Sequence, residues 1–160
     1  MIKLAVAGLA LMFATQTSFA DDGPRLIGVW KLLFFQTEFQ DGKPPRAMLG
    51  EHPSGYLILT KEGRMMSVIE GENRKVPATE ADRASLLNSL VAYSGTYRVD
   101  GNQWTLSVDV AWNPAWDGTV QVRDFELAGD RLTVRSPWQH AVNFPGAALS
   151  RGTVVFERVK

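Results

Sequence analysis

The ten residues Gln103–Trp112, QWTLSVDVAW, decide how the fold is read. Trp104, Leu106, Val108, Val110 and Trp112 alternate with Gln103, Thr105, Ser107, Asp109 and Ala111, a period of two across the whole segment. Successive side chains of a β-strand point to opposite faces, so the segment reads as a strand with one apolar face and one small or polar face. Which face turns inward decides what lies inside the protein, because a slip of one residue exchanges the two.

Outward from that strand the chain repeats one theme, short β-rich runs set off by turn residues. On the N-terminal side these are WKLLFFQTEF from Trp30 to Phe39, ending in Asp41-Gly42-Lys43-Pro44; YLILT at 56–60; MMSVI at 65–69, which makes a hairpin with it across Lys61-Glu62-Gly63; and TYRV around Tyr97, with the tight turn Asp100-Gly101 leading into the first strand quoted. On the C-terminal side strands are predicted at 119–127, 131–136 and 153–159, the first two joined by Ala128-Gly129-Asp130 and the last two by a long loop. One segment, TEADRASLLNSLVAY, reads as a helix around residues 80–91. Thr79 is its cap, Glu80 and Asp82 lie at the positive end of the dipole, and Leu86, Leu87, Leu90 and Val91 share one face, which should lie across an opening or a flank of the sheet. Eight hairpin-linked strands and one short helix predict an all-β protein, an antiparallel barrel or sandwich. A barrel of about eight strands holds either a packed core or one small ligand.

The first twenty residues, MIKLAVAGLALMFATQTSFA, combine Lys3, an apolar run too short to span a bilayer and small residues at Ser18 and Ala20. They read as a cleaved secretory signal peptide, which leaves residues 21–160 as one domain, periplasmic or secreted. Of the 17 Lys and Arg only Lys3 falls in that leader and none of the 17 Asp and Glu does, so the remaining formal charge is about −1. Neither a nucleic-acid footprint nor a polybasic lipid-binding segment is visible, and no later segment is apolar enough to be an integral membrane span. The chain has no cysteine, so disulfides and thiolate metal sites are excluded. His52 and His140, the two histidines, lack metal-ligand spacing, so no metal is expected. GxSxG, P-loop and GxGxxG signatures are absent, and no cofactor is expected.

Gly28-Val29-Trp30 at the opening of the first strand and Arg158 on the last resemble the GxW start and closing arginine of lipocalins. The ordered series GYLILTKEGRMMSV, YSGTYRVDG, NPAWDGTVQVRDFEL and GDRLTV is similar to that of the bacterial and fungal lipocalin-like domain family, over nearly the whole chain after residue 20. The resemblance implies an eight-stranded calycin-type barrel, often exported, with an apolar cavity, and implies no activity. It also implies a structural closure in which Gly28 opens the strand, Trp30 packs at the barrel floor and Arg158 covers the indole. One departure stands out: that family often carries histidine near the position of Ser107, so any chemistry of that histidine is missing here.

The expected ligand is a small apolar or amphipathic molecule held in the lumen, carried or sequestered without being transformed. Phe34, Leu57, Ile58, Met65 and Met66 are candidates for the wall, and Tyr56, Tyr93 and Tyr97 for hydroxyl donors. Trp112 and Trp116, at the two ends of the NPAWDG connection, are either an aromatic lip over the mouth or a packed corner between strands. Arg123, in phase with Thr119, Gln121 and Phe125, is either half of a surface ion pair or a lumen group for an anionic head. Asp109 is solvated if the Trp104 face points inward, and a buried anchor if it points outward. A rival reading is an isomerase or cyclase using Asp109 with Tyr93 or His140 as an acid–base pair, which needs that carboxylate inside with a raised pKa. A third is a filled barrel serving as an interaction module, with an exposed apolar patch in place of a cavity.

Overall fold

The computed structural model describes residues 23–47, 49–140 and 149–160, so the signal peptide read in the sequence lies outside the described residues, as does most of the long late loop. A short helix α1 (Gly23–Leu26) leads into β1 (Gly28–Phe39), β2 (Ser54–Leu59) and β3 (Arg64–Glu70). Helix α2 (Glu80–Asn88) follows, then β4 (Leu90–Asp100), β5 (Gln103–Ala111), β6 (Val120–Ala128), β7 (Arg131–Arg135) and β8 (Ser150–Arg158). The eight strands pair antiparallel in sequence order, and β8 returns to β1, so the sheet closes into a barrel. Closure pairs every strand on both sides for at least part of its length and puts one face of each strand inside.

The strands are joined by tight turns at one end, residues 60–63, 101–102 and 129–130, and α1 lies at that same end ahead of β1. All four long connections, β1–β2, β3–β4, β5–β6 and β7–β8, fall at the opposite end. The α1 end is sealed by the elements the GxW start supplies. The Trp30 indole is fully buried and its Nε1 donates to the Leu26 carbonyl at 2.8 Å, while the Arg158 guanidinium sits 4.1 Å from the ring centroid. Arg158 Nη1 also donates to the Ile27 carbonyl at 2.9 Å, and Nη2 to the Arg25 carbonyl. Gly28 has φ +145°, and a Cβ there would stand 2.8 Å from Arg158 Nη1, so glycine is needed both for the backbone and for the guanidinium.

The Trp104 face of β5 points inward. Trp104, Leu106 and Val108 are buried, whereas Thr105, Ser107 and Asp109 are exposed. The alternation read from the sequence holds only as far as Val108. Gly95 pairs with Val108 and Ser94 with Val110, so Asp109 is an extra residue, a β-bulge, and the strand changes phase: Val110 is exposed and Ala111 half-buried. A similar slip at Leu33 in β1 turns Phe34 outward and Phe35 inward.

The helix is shorter than the sequence predicts. Thr79 caps it as read, with Asp82 closing a reciprocal capping box, but it ends at Asn88 with Ser89 as its C-cap. Leu90 and Val91 are the start of β4, opposite Glu70 and Ile69 of β3. Those two residues are claimed by the barrel because strand pairing there satisfies their backbone and completes the closed sheet, an outcome that outweighs a weak helical preference. With its last apolar turn withdrawn, α2 buries no side chain and meets the barrel mainly at β4.

Candidate functional site

Inward-facing residues fall into two sets. Toward the α1 end Trp30, Leu59, Met65, Trp104, Leu106, Leu132 and Phe156 are all buried. Toward the long connections the inner faces of β1, β4, β5 and β6 carry Phe35, Val91, Tyr93, Ala111 and Gln121, all half-buried. The interior is therefore buried at one end and, along β1, β4, β5 and β6, more accessible at the other, where Ile69 of β3 and Val134 of β7 stay buried. Leu49, from the β1–β2 connection, is buried against this second end and covers part of it.

The β1–β2 ladder stops at Lys31 opposite Tyr56, although β1 continues to Phe39. Above Lys31 the side of β1 that faces β2 is bridged, among the described residues, at Thr37, which exchanges two backbone hydrogen bonds with Arg46 at 2.8 and 2.9 Å. A cleft of about 380 Å³ opens between Phe34, Phe35 and Gln36 on one side and Pro45, Ala47, Gly50 and Glu51 on the other. Since Phe35 faces inward, that cleft borders the barrel interior. A second cleft of about 310 Å³, between residues 72–76 and α2, lies outside the barrel and is lined mostly by polar groups.

An aromatic cluster stands at the accessible end. The short 3₁₀ turn Pro114–Trp116, started by Asn113 Oδ1 accepting from the Ala115 N–H at 3.0 Å, turns Trp116 back over the barrel. Trp116 meets Tyr93 edge-on at 5.1 Å and Trp112 edge-on at 4.7 Å, and it packs on the core. The three rings are half-buried, so Tyr93, Trp112 and Trp116 form a corner that keeps part of its surface toward solvent.

Arg123 is 8% exposed, on the inner face of β6 opposite Trp104 of β5. Its Nη1 donates to the Val122 carbonyl at 2.8 Å and its Nη2 to Gln121 Oε1; among the described residues no carboxylate pairs with it. Gln121 Nε2 donates to Thr119 Oγ1 at 3.3 Å and Thr119 Oγ1 to the Trp116 carbonyl at 2.7 Å, so a polar track climbs the inner face of β6 from Arg123 to the aromatic corner. The Trp104 ring is 2% exposed and stacked on Phe125, and its Nε1–H is buried with no hydrogen-bond partner among the described residues.

Other sequence candidates stand elsewhere. Tyr56 is half-exposed on the outer wall, in register with Lys31 and Val68. Tyr97 is inside, but its hydroxyl donates to the Thr60 carbonyl at 3.1 Å and burial raises its pKa. Asp109, at its bulge, faces out: it accepts from Arg64 Nη1 at 2.5 Å and from Ser94 Oγ at 2.8 Å, and the Arg64 bond, with that from Ser94, holds its carboxyl below the usual range. An acid–base pair in the lumen needs the opposite, so the isomerase reading loses its acid. His140 is exposed beside the Gln139–Ser150 bridge. Of the wall candidates Leu57 and Met65 face inward, whereas Phe34, Ile58 and Met66 face solvent. Sequence reasoning passed over Trp104 as a polar group; its position facing Arg123 is visible only once the register is known.

Among the described residues no cluster of His, Asp and Glu could hold a metal ion, and no helix is long and apolar enough to cross a membrane. A family model described as a lipocalin-like domain matches residues 27–159. Among curated proteins none matches. Among solved structures, that of an uncharacterized protein from Bacteroides eggerthii is similar at 14% identity and a TM-score of 0.42, covering 83% of this chain and 98% of that one. A likeness at that level adds nothing to the fold given by the strand pairing.

Proposed function

The chain belongs to the lipocalin-like domain family, and from that premise we propose that it is an exported carrier or sequestering protein that takes one small, mostly apolar molecule into its lumen without transforming it. The observation that carries this reading is the uneven interior, fully buried around Trp30, Leu59 and Leu132 but half-buried around Phe35, Tyr93 and Gln121. A barrel built only to be stable gains from filling both ends, since each unfilled methylene-sized gap costs about 1 kcal/mol. Apolar side chains left half-exposed on an inner face fit a ligand that completes their burial. The ligand would enter past the Tyr93–Trp112–Trp116 corner or through the cleft beside Phe35, and its body would lie against those rings. The signal peptide read in residues 1–20 supports export, and with it a role in the periplasm or outside the cell.

The test is a fluorescence titration with N-phenyl-1-naphthylamine, an uncharged probe that brightens when it leaves water. Saturation at one probe per chain is expected, with binding weakened about ten-fold, equivalent to about 1.4 kcal/mol, in Trp112→Ala and Trp116→Ala. Absence of binding removes the reading.

The interaction-module reading has one observation of its own. Val29, Ile58 and Met66 lie side by side in register on the outer wall of β1, β2 and β3, each exposed, with Tyr56 and Val68 in the next row. Contiguous apolar surface of that kind suits association. It becomes the better reading if the probe fails to bind and sedimentation shows self-association that Met66→Lys abolishes.

A further inference from the structure

We propose that the lumen selects ligands with an anionic oxygen head, a carboxylate or sulfonate, through Arg123 with Trp104 Nε1–H as a second donor; this rests on the lumen-binding reading above. A guanidinium carries five N–H donors and a permanent charge, and among the described residues its side chain donates to two neutral oxygens, those of Val122 and Gln121, and to no carboxylate. A buried cation with neutral partners alone is costly to keep, and a buried indole N–H with no partner adds to that cost. The two stand at paired positions of neighbouring strands, both on the inner face, and the same unmet need serves both: an acceptor with more than one oxygen and a negative charge.

The surroundings specify the rest of the ligand. Arg123 is flanked along β6 by Gln121 and Phe125, and Trp104 is stacked on Phe125 at 5.5 Å, so around the polar donors the wall is aromatic and aliphatic. Two acids on the outer side of the barrel, exposed Asp109 with Arg64 and half-buried Glu38 with Arg151, are already matched there. Water-excluding walls strengthen a charge-assisted hydrogen bond, and the guanidinium fork suits the two oxygens of a carboxylate or sulfonate. The geometry points to an amphiphile of one negative charge, head inward at Arg123 and apolar body outward toward Tyr93 and Trp116.

A matched pair of probes reads the charge alone: 8-anilino-1-naphthalenesulfonate and N-phenyl-1-naphthylamine differ by the sulfonate. The wild-type protein is expected to bind the sulfonate about ten-fold or more tighter, and to keep that preference in raised salt because the pair is shielded from solvent. Arg123→Gln should abolish the preference while changing uncharged-probe affinity by no more than about two-fold; Trp104→Phe, which keeps the ring and removes the N–H, should reduce it in part. Unchanged circular dichroism and a melting temperature at or above wild type are the expected fold controls for Arg123→Gln, and Arg123→Lys should retain part of the preference. If the uncharged probe binds equally well and Arg123→Gln changes nothing, the anion inference is overturned and lumen binding stands. If neither probe binds, both are overturned.

Discussion

Arg123 and Asp109 show what one residue of register is worth. Both are charged residues on neighbouring strands of the same barrel, and the sequence alone offers each of them an inner and an outer position. Strand pairing sends Arg123 inside beside Trp104 and leaves Asp109 outside with Thr105 and Ser107, beside Arg64. The periodicity of β5 was legible, and so was the phase of Arg123 with Gln121 and Phe125; the bulge was not, because it depends on Gly95 of the facing strand. A Cβ on Gly95 would come within 2.1 Å of the Ser107 carbonyl oxygen, so the close approach at that point needs glycine, and nothing in β5 itself announces it. On the outer wall Glu38 illustrates a charge that is matched. Arg151 Nε and Nη2 donate to it at 2.9 and 2.7 Å and Thr153 Oγ1 at 2.8 Å, and the arginine bonds, more than the threonine bond, hold its carboxyl below the usual range. A carboxyl whose pKa is lower folded than unfolded contributes stability that is whole above the unfolded value and is lost as pH falls through the folded one. Glu38→Gln is therefore expected to melt below wild type at pH 7 and to show a flatter decline between about pH 5 and pH 3, measured by thermal melts across that range. Parallel curves for the two proteins would mean that the Glu38–Arg151 contact adds nothing to stability.

At the scale of elements, the instructive case is the passage from α2 to β4. Its start was readable because a cap is local: Thr79 Oγ1 accepts from the Asp82 N–H at 3.1 Å and Asp82 Oδ2 accepts from the Thr79 N–H at 2.9 Å, all within four residues. Its end was not, because Leu90 and Val91 pair with residues some twenty positions earlier and no local signal marks that debt. The difference has a measurable consequence. Amide hydrogen exchange should divide sharply at Ser89, with Glu80–Asn88 exchanging orders of magnitude faster than Val91 and the strand beyond it, since a helix that buries no side chain opens without the barrel opening. Protection of residues 80–88 equal to that of β4 would show that α2 is held by contacts other than its cap and its neighbour strand. The six-residue strand β2 tells a related story: its turn residues marked it in the sequence, but that β1 would part from it after Lys31 and leave a cleft was not visible, because nothing local in either strand marks where their pairing ends.

At the scale of the whole molecule the barrel is asymmetric by construction. Tight hairpins and α1 gather at one end, where Gly28, Trp30 and Arg158 lock together, and the long connections gather at the other, where the inner wall formed by β1, β4, β5 and β6 is half-buried. Strand count, hairpin order and the closing residues were legible in the sequence because each has its own local or family signature. The filling of the lumen was not, because it depends on which alternate residues turn inward on every strand at once. The central claim is that the half-buried end exists to receive a molecule, and native mass spectrometry of the protein purified gently from its exported fraction tests it most directly. A single discrete adduct is expected, released on denaturation and recovered by organic extraction as an amphiphile with an anionic head. A clean unliganded mass, unchanged on incubation with either naphthalene probe, would contradict the claim and leave a barrel whose aromatic corner is packing alone.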